Sequence, residues 1–266
     1  MDIKDIENCI NQIKPYCDYV YLHILGEPLL HPGFNEILNI LDYKNMKLQL
    51  VTNGVLLHKY PDILNHSCLR KLSISLHSIN SIEVNESYFD TINELIENNN
   101  DKNIELRFYN KQQLDTKLNN YLDFLKIKYS YNETSKTNSY KIKDNVYIYY
   151  SNLFKWPDIN DEIISDIGTC HGAVDMLAIN VKGEVTICCL DPKAHNSLGN
   201  LKDNTLKEII ESDRYKTIIN DFKNKKINLE LCKRCSYRLR FDWYSLSKII
   251  EDLIDNDISL SFKWLI

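Results

Sequence analysis

Hydrophobic positions change period repeatedly along the first hundred residues. Between residues 2 and 14 they recur every third or fourth place, as Ile3, Ile6, Ile10 and Ile13, which predicts an amphipathic helix. The compact run 18–25 (DYVYLHIL) reads as a strand that stops at Gly26-Glu27-Pro28. Pro32-Gly33 opens a second helix over about 34–43, with Phe34, Ile37, Leu38 and Leu41 on one face. Residues 47–52 (KLQLVT) read as a strand stopped by Asn53-Gly54, and 57–66 as helical. A third strand is expected over 70–77 (RKLSISLH), a helix over 87–98 and a fourth strand over 103–109 (NIELRFY). Helix and strand alternate with short links, the pattern of βα units and a parallel sheet, whose ligands collect at the C-terminal strand ends.

After residue 111 the rhythm weakens. A helix over 112–127, a polar loop over 130–139 and a β-hairpin over 140–150 turning at Asp144-Asn145 are expected. Two strands, 175–182 and 184–189, meet at Lys182-Gly183, and helices follow over 203–222 and 240–254. The implied organisation is an α/β part over 1–150, a connecting segment over 151–168 and a smaller domain over 169–266.

Composition narrows the function classes. Hydrophobic residues make up 44% and charged residues 26%, as in an ordinary soluble globular protein. The formal net charge of −5 gives no basic surplus for nucleic acid. No apolar run approaches the roughly 20 residues that span a bilayer, so no membrane association is expected. Asp2, Lys4, Asp5 and Glu7 break the apolar character a signal peptide needs. The expected location is cytoplasmic, where a CxxC pair points to metal or redox chemistry before a structural disulfide.

Four of the eight cysteines then stand out. Cys170 and Cys188 flank the hairpin that turns at Gly183, and Cys232-Lys233-Arg234-Cys235 is a knuckle that offers two sulfurs to one ion or cluster. Buried free cysteines, a structural zinc ion and an iron–sulfur cluster are the readings open to such a set. Zinc sites usually show two close-spaced pairs, and here the first pair is wide. Cys189 adjoins Cys188, and a strand points only one of them inward; Cys188 is taken as the ligand.

The order Cys170…Gly183-x4-Cys188, Ser197-Leu198-Gly199-Asn200, Leu206-Lys207-Glu208-Ile209, Cys232-x2-Cys235 resembles the auxiliary-cluster domain of radical S-adenosylmethionine (SAM) enzymes. It is similar to the shortened "twitch" form of the SPASM domain, which implies one auxiliary [4Fe–4S] cluster held by these four cysteines, over about 169–240. Residues 1–110 resemble the same family's partial (β/α) barrel. Leu25-Gly26-Glu27-Pro28 with Leu29-Leu30-His31-Pro32 looks like the end of its second strand, and Thr52-Asn53-Gly54 like the end of its third. The resemblance implies that Gly26, Glu27 and Pro28 hold the SAM amino group through backbone carbonyls and the acidic side chain. It places Thr52 and Asn53 beside them, with Ser75 and His77 facing cofactor or substrate. The implied fold is an incomplete (β/α) radical-SAM-type partial barrel followed by a small twitch/SPASM-type iron–sulfur domain. Read alone, Gly-Glu-Pro and Asn-Gly are turn signals, Ser75 and His77 polar strand positions, His23 a core histidine and Arg107 a carboxylate partner or surface residue.

The family's defining CxxxCxxC is not in this sequence. Cys9, Cys17 and Cys68 are too unevenly spaced to replace it and read as structural. The expectation is a truncated radical SAM protein, lacking the first strand and catalytic loop, inactive alone and with no catalytic residue of its own. The other expectation is a non-catalytic iron–sulfur or zinc protein for electron transfer or partner binding. The implied partners are a peptide or small-molecule substrate, and a reductase or a chain supplying the missing strand.

Overall fold

The computed structural model describes residues 1–80, 84–133, 137–152 and 154–241. In chain order the helices and strands begin with α1 (Ile3–Ile13), β1 (Tyr19–Leu22), α2 (Phe34–Tyr43), β2 (Lys47–Thr52), β3 (Leu69–Ser75), α3 (Tyr88–Asn98) and β4 (Asn103–Tyr109). Then come α4 (Thr116–Tyr129), β5 (Ser139–Lys143), β6 (Val146–Ser151), β7 (Ala178–Ile179), β8 (Glu184–Thr186) and β9 (Ser197–Asn200). The last are α5 (Leu206–Glu211), α6 (Asp213–Lys223) and α7 (Glu230–Lys233). Contacts divide the chain into one unit of residues 26–153 and another of residues 1–25 with 154–266.

The 26–153 unit is built on parallel pairing. β2 pairs with β3, β3 with β4 and β4 with β6, all parallel, and β5 closes on β6 as an antiparallel hairpin. Alternation decides which face is buried. Leu48, Leu50, Leu72, Ile74, Ile104, Leu106, Phe108, Val146 and Ile148 are buried. The other face of β3, β4 and β6 carries Lys71, Ser73, Ser75, Glu105, Arg107, Tyr109, Tyr147 and Tyr149. The expected parallel α/β arrangement is therefore present, and so is the hairpin, with Asn145 at φ 61° in its turn.

Several expected elements differ, and the strands expected over 175–182 and 184–189 shrink to Ala178–Ile179 and Glu184–Thr186. Residues 57–66 form two short 3₁₀ turns, Leu57–Lys59 and Ile63–Asn65, instead of one helix. Pro61 lies between them, and its ring and missing N–H break a continuous ladder. The third strand ends at Ser75 and a 3₁₀ turn covers Leu76–Asn80, so His77 is off the strand. The 203–222 helix is two, because the extended Ser212 ends α5 and its hydroxyl accepts the Tyr215 N–H at the start of α6. The helix expected over 240–254 lies, from 242 on, outside the described residues.

In the other unit, α1 buries Ile6, Cys9, Ile10 and Ile13, the i, i+3, i+4, i+7 stripe of an amphipathic helix. Gln12 accepts the Leu206 N–H at 2.8 Å, joining α1 to the start of α5. Thr205 and Glu208 form a capping box there.

Asp42, at the end of α2, anchors the approach to β3. Its Oδ1 accepts the Cys68 N–H at 2.6 Å and the Ser67 hydroxyl at 2.8 Å, and its Oδ2 lies 2.6 Å from His66 Nδ1. Burial works against the charged carboxylate, but the bonds from His66, Cys68 and Ser67 outweigh it and hold its pKa below the usual carboxylate range. Asp42→Asn should therefore destabilise the protein by about 1.5–3 kcal/mol at neutral pH, measured by denaturant unfolding. A depressed folded-state pKa contributes stability above the unfolded value and loses it as pH falls. The difference between wild type and Asp42→Asn should shrink as pH falls below about 3.9.

Candidate metal centre and strand-end site

The four singled-out cysteines share the second unit. The β7–β8 hairpin pairs Ala178 with Thr186 and Ile179 with Val185. Its turn is closed by Gly183 N–H to Asn180 O at 2.9 Å. Gly183 adopts φ +86°, and a Cβ there would lie 2.8 Å from Asn200 Oδ1. The hairpin so closed leaves Cys188 just beyond β8, with Ile187 O accepting the Ala173 N–H at 2.9 Å. That bond holds the segment after Cys170 against the segment before Cys188. Cys232 and Cys235 flank the end of α7, where Cys235 N–H donates to Cys232 O at 3.2 Å. The knuckle is tied down: Lys233 O accepts from Ile164 and Ser165 N–H, and Arg234 Nε donates to Asp161 O at 2.7 Å.

Electrostatics tie the four sulfurs into one group. Burial pushes the Cys170 thiol up to about 11, with Cys235 adding to the rise. Burial raises Cys188 well above its ordinary value, with Cys189, Cys232 and Cys170 adding to it. Burial likewise raises Cys232, with Cys170 and Cys235 contributing, and Cys235. Each thiolate would destabilise its neighbours, so ionised sulfurs need a cationic centre among them. Two N–H groups already point at sulfur: Gly172 N lies 3.4 Å from Cys170 Sγ and Asn196 Nδ2 lies 3.6 Å from Cys232 Sγ. A set of four clustered thiols with N–H donors fits a thiolate-bound metal group.

The strand-end motifs meet in the 26–153 unit. Glu27 Oε1 accepts the Leu29 N–H at 3.1 Å and the Thr52 hydroxyl at 2.7 Å, and Oε2 accepts the Asn53 N–H at 2.7 Å. Thr52 Oγ1 in turn accepts the Gly54 N–H at 3.0 Å, and Asn53 O accepts the Tyr88 hydroxyl at 2.7 Å. Gly54 sits at φ +82°, where a Cβ would meet Ile74 Cγ2 at 3.0 Å and Tyr88 OH at 3.1 Å. Gly26 and Pro28 flank Glu27, Pro28 opening a 3₁₀ turn. Ser75 is in register with Arg107 on β4. His77 stacks on Tyr109 with centroids 4.0 Å apart, and its Nδ1 lies 3.5 Å from Arg107 O. Burial pushes the His77 imidazole below its usual range. Glu105 sits 2.6 Å from Lys71 and 3.6 Å from Arg107, and the Arg107 guanidinium also bonds the Tyr109 hydroxyl.

A family model described as an iron–sulfur cluster-binding domain, SPASM, matches residues 170–236. All four cysteines fall inside that span. Residues 170–236 match the SPASM domain. No curated protein matches the sequence. Among solved structures, the crystal structure of BtrN in complex with AdoMet and 2-DOIA is similar at 16% identity and TM-score 0.56, covering 89% of this chain and 80% of BtrN. A selenomethionine BtrN structure in an open conformation matches at 14% identity and TM-score 0.47, with the same coverage. The fold is the radical-SAM-type partial barrel with a SPASM-type domain, as the sequence resemblance implied.

Asp191, Asn196 and Arg238 of this unit were not singled out in the sequence. Asp191 accepts the His195 and Asn196 N–H groups at 2.9 and 2.7 Å, which turns the chain so that Asn196 meets Cys232. The signal available was Asp191-Pro192, an ordinary turn pair. Arg238, 1% exposed, donates from its three nitrogens to Cys232, Ile167 and Ser165 carbonyls. The three early cysteines are buried: Cys9 on α1, Cys17 accepting the Tyr19 N–H, and Cys68 beside Leu38 O. Removing the Glu27 carboxylate leaves the Leu29 and Asn53 amides without their acceptor. Glu27→Ala should speed hydrogen exchange at those two amides while amides in α6 exchange as in the wild type, read by mass spectrometry or NMR.

Proposed function

We propose that the chain is a radical SAM/SPASM-like protein in which Cys170, Cys188, Cys232 and Cys235 hold one auxiliary [4Fe–4S] cluster. The observation that carries this reading is the electrostatic grouping of these four thiols within the segment that matches the iron–sulfur domain model. Cys188 is kept as the proposed ligand, and Cys170 and Cys232 both act on its thiol. Spacing supports a cluster over zinc. With zinc–sulfur bonds of about 2.3 Å, tetrahedral thiolates stand about 3.8 Å apart. Among the described residues, Asp42, His66 and Cys68 are the one triple of His, Cys, Asp or Glu ligand atoms all within 4.8 Å. A cluster gives each thiolate a different iron and so holds the sulfurs further apart. When bound it supplies a one-electron donor or acceptor.

We infer that Gly26, Glu27, Pro28, Thr52 and Asn53 receive the amino group of SAM, with Ser75 and His77 at the neighbouring strand end. The BtrN complex with AdoMet supports this reading. So does Glu27, whose Oε2 takes one backbone N–H and keeps acceptor capacity for an ammonium group. Family chemistry would be SAM-dependent radical modification of a peptide or small molecule, with an external reductase as partner. The 266 residues carry no CxxxCxxC, so we assign no SAM cleavage to this chain alone. That same feature favours, as a second reading, a non-catalytic iron–sulfur protein for electron transfer or partner binding. Among the described residues no helix is long and apolar enough to cross a membrane; the proposed location is cytoplasmic, where thiols stay reduced.

Anaerobic purification and reconstitution should give about four irons and four sulfides per chain. Cys170→Ala, Cys188→Ala, Cys232→Ala and Cys235→Ala should each lose most of that iron. Zinc in place of iron, or iron retained by all four variants, would overturn the ligand assignment. Production of 5′-deoxyadenosine from SAM by this chain alone under dithionite would overturn the assignment of no cleavage.

A further inference from the structure

Arg238 is a charged side chain at the top of the fully buried set. Its place is fixed by a three-way fork: Nε to Cys232 O at 3.0 Å, Nη1 to Ile167 O at 3.1 Å and Nη2 to Ser165 O at 2.7 Å. The planar guanidinium suits such a fork and stays charged at every working pH. One end of the fork is therefore on a knuckle cysteine, and the other two are on the segment just before Cys170. The guanidinium charge is thereby fixed one hydrogen bond from the Cys232 backbone, out of contact with solvent.

We propose that Arg238 is a positioning residue that sets the reduction potential of the group held by the four cysteines, through a fixed positive charge beside them. This inference rests on the iron–sulfur reading above. Four thiolates and a cluster carry net negative charge, and accepting one electron from an external reductant makes it more negative. A buried cation beside the site stabilises the reduced state more than the oxidised one, because charge interactions are strong where water is excluded. Arg238 thus raises the potential and eases electron uptake. Its bonds to Ser165 O and Ile167 O also hold the knuckle in register with the chain entering Cys170.

The test compares wild type with Arg238→Lys, Arg238→Gln and Arg238→Met, reconstituted anaerobically. Iron is counted first, and the midpoint potential is then read by a mediator-equilibrated dithionite titration followed by electron paramagnetic resonance. The neutral variants should shift the reduction equilibrium at least tenfold toward the oxidised form, about 59 mV for one electron. Arg238→Lys, which keeps the charge but not the planar fork, should stay near wild type. Iron lost in both neutral variants but kept in Arg238→Lys at the wild-type potential supports the same role. An unchanged potential in an iron-loaded neutral variant overturns it, as does loss of iron in all three variants. A wild-type chain that takes up no iron would instead sink the iron–sulfur reading, leaving the two failures distinct.

Discussion

Four sulfur atoms that raise one another's cost of ionisation belong to one folded unit. Much of that unit can be understood from this constraint. Burial drives Cys170, Cys188, Cys232 and Cys235 toward the neutral thiol, and neighbouring sulfurs push Cys170, Cys188 and Cys232 further the same way. The chain spends structure to keep them together: a hairpin, a knuckle, a buried Asn196, and Arg238 on the carbonyl side of Cys232. N–H donors and a cation around sulfurs make sense if negative charge is to reside there. They make little sense around four ordinary core thiols, which behave as small hydrophobes.

The strand ends of the other unit follow a parallel logic on a smaller scale. Glu27 is a carboxylate that accepts from Leu29, Thr52 and Asn53 and keeps part of its acceptor capacity. These bonds turn two separate strand-end loops into one rigid corner. Tyr88 reaches in from α3 to Asn53 O, so a helix that is distant in sequence braces the same corner.

Much of this was legible in the sequence where period and packing agree. The α2 face of Phe34, Ile37, Leu38 and Leu41 is buried as its spacing required, and so is the alternation of 47–52 and 103–109. The helix expected over 57–66 failed because Pro61 forbids its ladder, and the backbone obeyed the proline. His77 left the strand because β3 pairs with β4 only as far as Ser75 opposite Arg107. Arg238 was invisible for a different reason. It lies in a run with Lys233, Arg234 and Arg240, which reads as a solvated basic face. Only the carbonyls of Ser165 and Ile167, some seventy residues earlier, turn it inward.

One segment that carried the resemblance, Ser197-Leu198-Gly199-Asn200, contains no metal ligand. Its value as a signature is steric. It forms β9 beside β8, with Gly199 opposite Val185. A Cβ on Gly199 would stand 3.0 Å from Ile209 Cγ1, so glycine lets α5 lie against the sheet. Asn200 caps the hairpin turn through Lys182 O at 3.2 Å and directs the next turn through the Lys202 N–H at 2.9 Å. Gly183 is glycine because Asn200 occupies the space its side chain would need. Glycine, asparagine and the helix after them are therefore mutually required, and they close the hairpin that brings Cys188 toward Cys170. The segment builds the frame that sets where the cysteines on either side of it stand.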